Sequence, residues 1–227
     1  MNSSDPCDVS ADHARQFRET IGRDEFPCVG AKSAVAQGRL SFVRARDVTS
    51  AWNDLQIHRD LVEWSARWRD SPAGFRSFAV VFDGPDGITE QDFEAALWER
   101  LQSLANKDHW LGQSYAAAVS PDPEDPHFCL SFGGEAFFVV GLHAKSSRPA
   151  RRFAHPAIVF NPHAQFERLR QQGRFARMRE RIMARDIALA GMPNPMLADH
   201  GNASAARQFS GRAVGPDWAC PFRDPRA

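Results

Sequence analysis

Cys28 directly follows Pro27 in the segment Phe26-Pro27-Cys28. A proline at the start of a helix already holds the φ the helix needs, so this spacing predicts a helix that opens here and ends before Gly38. In its first turn a thiol meets unpaired backbone N–H groups and the positive end of the helix dipole, which favour the thiolate and lower its pKa. A thiolate held in this way is a nucleophile or an iron ligand. The competing reading is the ordinary role of a free cysteine, a small buried hydrophobe. Cys7 and Cys129 take that ordinary role, and Cys220 in Trp218-Ala219-Cys220-Pro221-Phe222 reads as part of an aromatic plug.

Two strand ends carry the other reactive side chains. The first runs from Gly141-Leu142 into His143, Lys145, Ser146, Ser147, Arg148, Arg151 and Arg152, and the second is Phe160-Asn161-Pro162-His163. Rigid strands that empty into polar loops are common places for functional groups. If both strands share one sheet, His143 and His163 are expected near each other, with the cations facing one anionic ligand group. Guanidinium forks suit carboxylates and phosphates because two parallel N–H bonds form at once, and Ser146 and Ser147 add donors. Taken alone, either histidine is as readily a packed or solvated imidazole. Arg207 and Arg212 either add an anion contact from the tail or sit in an exposed loop. The chain has no GxGxxG or GxxxxGK[ST] phosphate loop, no HExxH and no GxSxG elbow.

These groups need a scaffold, and the hydrophobic pattern supplies one. Residues 10–21 form a weak amphipathic helix. Leu40 to Ala45 and Ser77 to Phe82 read as strands, separated by a long helical segment whose Val48, Ala51, Trp52, Leu55, Leu61, Val62, Trp64 and Trp68 face the core. Thr89 with Asp92 starts a helix bearing the stripe Phe93, Leu97, Leu101 and Leu104. The prolines of Ser120-Pro-Asp-Pro-Glu-Asp-Pro126 force a surface loop. Phe128 to Phe132 and Ala136 to Leu142 form a hairpin turned at Gly133-Gly134. Ala157 to Phe160 is a further strand, after which a helix starts near Ala164, breaks at Gly173 and resumes to about Leu189. The expected fold is α+β: a single domain with a mainly antiparallel central sheet of about four or five strands flanked by helices. Residues 1–24 are a helical arm, 25–227 the domain, and 191–227 an irregular tail.

Composition narrows the function classes. At 227 residues with 43% hydrophobic content the chain can bury one substantial core. No run approaches the roughly 20 apolar residues of a membrane helix, and the first ten residues lack a secretory pattern, so a cytoplasmic protein is expected. Four scattered cysteines make neither a zinc ribbon nor a disulfide framework. A net charge of zero gives no reason to expect nucleic acid or an anionic membrane as partner. Charge is nevertheless polarised: Lys145 to Arg185 holds eleven basic residues against Glu167 and Glu180. Two solvated faces that offset one another are the plain explanation.

The segments Phe26-Pro27-Cys28, Phe132-Gly133-Gly134, Phe137 to His143, Ser146-Ser147-Arg148, Ala150 to Phe153, Val159 to His163, Gln165 to Arg170, Asn194 to Leu197, Ser210-Gly211-Arg212 and Cys220-Pro221-Phe222 together resemble the YqcI/YcgG family. The likeness spans nearly the whole chain after Glu25, with many short motifs in order. Ala144, Ala205 and Phe209 stand where the family pattern suggests Pro, Glu and Tyr. The resemblance implies a haem-dependent monooxygenase that N-hydroxylates an amine or guanidine nitrogen of an amino-acid-like small molecule, fed by an external electron-donor protein. Haem iron needs one axial protein ligand, and a thiolate favours O–O cleavage. On this reading Cys28 ligates haem b iron, with His143 and then His163 as competitors. Arg148, Arg151 and Arg152 receive the propionates, with Ser146, Ser147, Asn161, Arg207 and Arg212 as further contacts. The alternatives are a non-catalytic haem carrier or sensor, and a haem-free module that binds an anion.

Overall fold

Eleven segments with the predicted periodicities become strands and helices, and one further short α-helix appears in the tail. In the computed structural model, which describes residues 6–197 and 203–227, the helix α1 (Pro6–Gly22) is followed by α2 (Val29–Ala36) and strand β1 (Leu40–Asp47). Then come α3 (Asp54–Asp70), β2 (Ser77–Gly84) and α4 (Glu90–Trp110), whose predicted cap is present: Thr89 Oγ1 accepts from the Asp92 amide at 3.1 Å. A short β3 (Leu130–Phe132) and β4 (Glu135–Leu142) make the hairpin. Its turn places Gly133 and Gly134 at φ of 57° and 76°, which side chains disfavour. Finally β5 (Ala157–Pro162), α5 (His163–Gln171), α6 (Phe175–Ala190) and the single turn α7 (Ala206–Phe209) complete the chain.

The sheet has the order β1-β2-β5-β4-β3. Three of its pairings are antiparallel, as the sequence predicts, whereas β1 and β2 run parallel. The parallel pair follows from α3, which crosses between the two strands and returns the chain to the same end of the sheet.

Strand alternation sorts side chains by size as well as by face. Phe78, Val80, Phe82, Phe137, Val139 and Phe160 point toward α3 and α4 and form the larger core with Leu61, Trp64, Trp68, Phe93 and Leu97. The opposite face shows Ala79, Val81, Leu142, Ala157 and Val159, packed with Phe17 and Ile21 of α1 and Ala34 of α2. Full burial of each such aromatic or aliphatic side chain contributes about 1.5–3 kcal/mol, so the phenylalanine-rich face carries more of the stability. The face built from alanine and valine is less filled, and that is where space remains.

The tail of the chain has little regular structure yet is docked along α4. Glu94 pairs with Ser210 and Arg212, Gln102 with the backbone of Arg223, and Asp108 with Arg226. Phe209 and Phe222 are buried between them.

Candidate functional site

Over the alanine and valine face, beneath α1, α2, α5 and α6, lies a cavity of about 630 Å³. Its floor is Val140, Leu142, Val159 and Asn161, and its roof is one stripe of α6: Phe175, Met178, Arg179, Ile182, Met183 and Asp186. Those positions are spaced three or four apart, as one face of a helix must be. Phe17 and Ile21 close one side, while Phe128, Cys129 and Phe166 close another.

Cys28 opens into this cavity. It is the residue that caps α2 rather than a member of its first turn: its backbone is extended, and its Sγ accepts from the Ala31 amide at 3.4 Å. The expected direction of its ionisation is corrected by its surroundings. Burial pushes the thiol above its ordinary value, and this outweighs the lowering by the Ala31 and Gly30 amides and by the Arg151 guanidinium. Removal of water costs a thiolate more than two amides at a helix start return.

Arg151 lines the cavity beside Cys28 and is deeply buried, which lowers its pKa to about 10. Its Nη1 donates to the carbonyls of Gly141 (3.1 Å) and Phe209 (3.4 Å), and its Nη2 to Gln208 (3.0 Å). β3 pairs with β4 only as far as Phe137, so Gly141 lies on an unpaired stretch of strand edge that Arg151 ties to α7. Arg148 is buried as well, and its guanidinium pairs with Asp186 at the end of the α6 stripe.

The other predicted contacts are dispersed. Arg152 is exposed and folds back on the Ser146 and Ser147 carbonyls. Ser147 bonds Glu90, and Ser146 caps the Arg148 amide. Arg207 donates to the carbonyls of Gly215, Pro216 and Trp218, and Arg212 pairs with Glu94. The cations therefore do not converge on one open spot. Each guanidinium has partners inside the chain.

The two histidines are also separated, contrary to the expected proximity. β4 and β5 do share an edge, but antiparallel: Phe137 opposes Pro162 and Leu142 opposes Ala157. His143 after β4 and His163 after β5 thus emerge at opposite ends of the sheet, about 20 Å apart at the usual rise per residue. They differ in face too. His143 is fully buried against Phe93 of α4, ring centroids 4.5 Å apart, away from the cavity. His163 lines the cavity, with its Nε2 3.2 Å from Glu167 Oε1.

Asn161 holds the floor between these ends. It accepts from Ser77 Oγ (2.7 Å) and donates to the Phe138 carbonyl (3.2 Å). The cavity is thus polar at two ends and apolar between. Cys28, Arg151 and Asp186 mark one end; His163, Glu167 and Arg170 mark the other. The sequence reading passed over Asp186, Glu167, Arg170 and Arg179, although the spacing of the α6 stripe was available as a signal. Cys129 also reaches the wall, its thiol pushed up to about 12 by burial.

Among the described residues, no three or more His, Cys, Asp or Glu converge as they would to hold a metal ion by side chains alone. Nor, among those residues, is any helix long and apolar enough to cross a membrane. The sequence model of the YqcI/YcgG family matches residues 17–223, which takes in every residue lining the cavity. No curated protein and no solved structure matches the chain.

Proposed function

Because the chain belongs to the YqcI/YcgG family, we propose that it is a haem-dependent monooxygenase that hydroxylates an amine or guanidine nitrogen of a small amino-acid-like molecule. The observation that carries this reading is the cavity itself: a largely apolar space of about 630 Å³, with one soft donor, Cys28 Sγ, beside the buried cation Arg151. That volume lies within the roughly 300–1,000 Å³ of sites that enclose a cofactor or drug-sized ligand. A planar, apolar group with acidic arms suits apolar walls with arginine at the margins. The residues present fit haem, which when bound supplies the activation of dioxygen.

The chain's own contribution follows from position and charge. Cys28 Sγ would be the protein ligand that holds the iron, with His163 the competitor at the far end; His143, on the other face of the sheet, drops out. Arg151 steadies negative charge on Sγ, offsetting part of the desolvation cost, and the Gly30 and Ala31 amides do the same. Phe17, Val140 and Ile182 keep bulk water from the reacting centre. At the other end Glu167, paired with Arg170 and within reach of His163, offers a carboxylate to a substrate nitrogen. Electrons come from outside, from a donor protein.

The test is the absorption spectrum of the ferrous carbon-monoxide adduct of protein loaded with haem. A Soret band shifted far to the red, lost in Cys28→Ala and kept in His163→Ala, is the expected outcome. No haem uptake would reject the proposal. Uptake without oxidation of any amine or guanidine, under reductant and oxygen, would leave only a haem carrier.

A further inference from the structure

Where α1 meets the sheet, two histidines that do not line the cavity lie ring on ring. His13 of α1 and His155, just before β5, have centroids 4.1 Å apart. His13 is buried, and neither Nδ1 has a hydrogen-bond partner among the described residues. The charged groups that face His13 are Asp12 beside it in α1, Arg44 of β1, Asp83 of β2 and the His155 ring itself. Asp83 Oδ1 is 3.6 Å from His13 Nδ1, but that carboxylate is already held by the Arg44 fork through two bonds of 2.8 Å. Asp12 is likewise engaged, by Arg15 and Gln16. A proton on the pair thus finds both nearby carboxylates occupied, and a proton on each ring sets two like charges in contact.

The pair matters because of what else α1 carries. His13, Phe17 and Ile21 recur four residues apart and so share one face of the helix. Phe17, Thr20 and Ile21 form a wall of the cavity. Phe17 lies edge-on to Phe42 and Phe153, and Phe153 in turn edge-on to His155. At the end of α1 toward α2, Arg185 of α6 donates to the carbonyls of Asp24 and Phe26 and pins the turn. The helix is therefore fixed at that end, while side chains alone hold the rest of it to the sheet.

We propose that His13 and His155 form a pH-sensitive latch: with both rings neutral α1 lies closed over the cavity, and protonation of the pair swings it outward about the turn at 23–28. The direction follows from linkage. Burial, and then the charge of His155, lower the pKa of His13 from the ordinary 6.5, so the open form takes up the proton before the closed form does. Closure is complete above about pH 6.5, and below it the opening constant rises about ten-fold per pH unit for each proton taken up. The latch acts whatever the cavity holds, and so stands apart from the haem reading.

Amide hydrogen exchange of the full chain, read peptide by peptide about one pH unit above and about one below the ordinary histidine value and corrected for the intrinsic rate, tests the latch. Peptides from α1 are expected to lose protection by about ten-fold at the lower pH, while those from β2 and β5 keep theirs. Anilinonaphthalene sulfonate, an apolar dye, is expected to enter the cavity faster over the same range. His13→Phe keeps a ring against His155 but cannot take up the proton, so protection of α1 should become independent of pH. Should that variant not fold, His155→Phe removes the repulsion alone and is expected to reduce the loss. Protection of α1 that does not change with pH in the parent chain overturns the proposal, as does a loss that persists undiminished in the folded variant. A loss shared equally by β2 and β5 also overturns it, because acid then loosens the whole fold rather than one helix.

Discussion

At the scale of single residues, the site turns on a contest between burial and nearby positive charge. Cys28 has a helix start and an arginine in its favour, yet the loss of water wins and the thiol is held protonated. Arg151 has two separable roles here: its bonds close the open edge of β4, and its charge favours the thiolate. Arg151→Gln removes both. It is expected to cost about 3 kcal/mol in urea unfolding, because buried carbonyls lose their donors, and to slow alkylation of Cys28 by iodoacetamide in the haem-free protein. Arg151→Lys keeps the cation and loses the fork, so it should lose stability while alkylation stays close to the wild-type rate. Equal alkylation in all three proteins would show that the guanidinium does not act on Cys28. His143 gives a second prediction. Burial lowers its pKa from the ordinary 6.5, so the unfolded chain takes up a proton there before the folded one does. Stability contributed by the neutral ring is complete above about pH 6.5 and is lost as pH falls below it. In His143→Leu the acid slope of the urea midpoint should be shallower. It should not vanish, since buried His13 is shifted the same way.

At the scale of elements, the parts of the site that could be read in the sequence are those set by local pattern. Pro27 before Cys28 announced α2, Thr89 and Asp92 announced α4, and Gly133-Gly134 announced the hairpin. What could not be read is the order of strands. His143 and His163 look like neighbours on the page because each ends an apolar run, and only the antiparallel pairing of β4 with β5 sends them to opposite ends. Likewise the guanidiniums of the loop after β4 looked available because their partners are mainly backbone carbonyls and distant acids, which leave no trace in residue spacing. One element-scale feature is a glycine inside a strand. A methyl group at Gly141 would sit 2.7 Å from both Leu97 Cδ1 and Phe93 Cε1, and 3.0 Å from the Phe209 carbonyl. Gly141→Ala must therefore displace the buried Leu97 and Phe93 side chains or push β4 away from α4 and α7. Strain of this kind typically costs about 1–3 kcal/mol. Because the push acts on the strand that floors the cavity, uptake of an apolar dye into the cavity should fall together with the urea midpoint. A variant that loses neither would mean that α4 shifts freely, against its tight packing.

At the scale of the whole molecule, the segment with the least regular structure is what fastens the layers together. Asp108, fully buried near the end of α4, takes His58 from α3, the Gly133 amide from the hairpin turn and Arg226 from the end of the chain. Arg226 in turn holds Asp224 and the Ser131 carbonyl, and its guanidinium lies 4.8 Å from the centre of the Tyr115 ring. One carboxylate thus joins two helices, a hairpin and the terminus. Removal of one member of such a group leaves the others charged or polar with no water to replace it, a loss of about 3–5 kcal/mol. Asp108→Ala should lose that much, and Arg226→Ala a comparable amount, since either leaves the other uncompensated. The double variant should lose clearly less than the sum, because once one partner is gone the second has little left to contribute. Urea unfolding of the four proteins closes the cycle. Losses that simply add would mean that Asp108 and Arg226 act separately, and that the tail merely lies against α4 rather than locking it to the sheet.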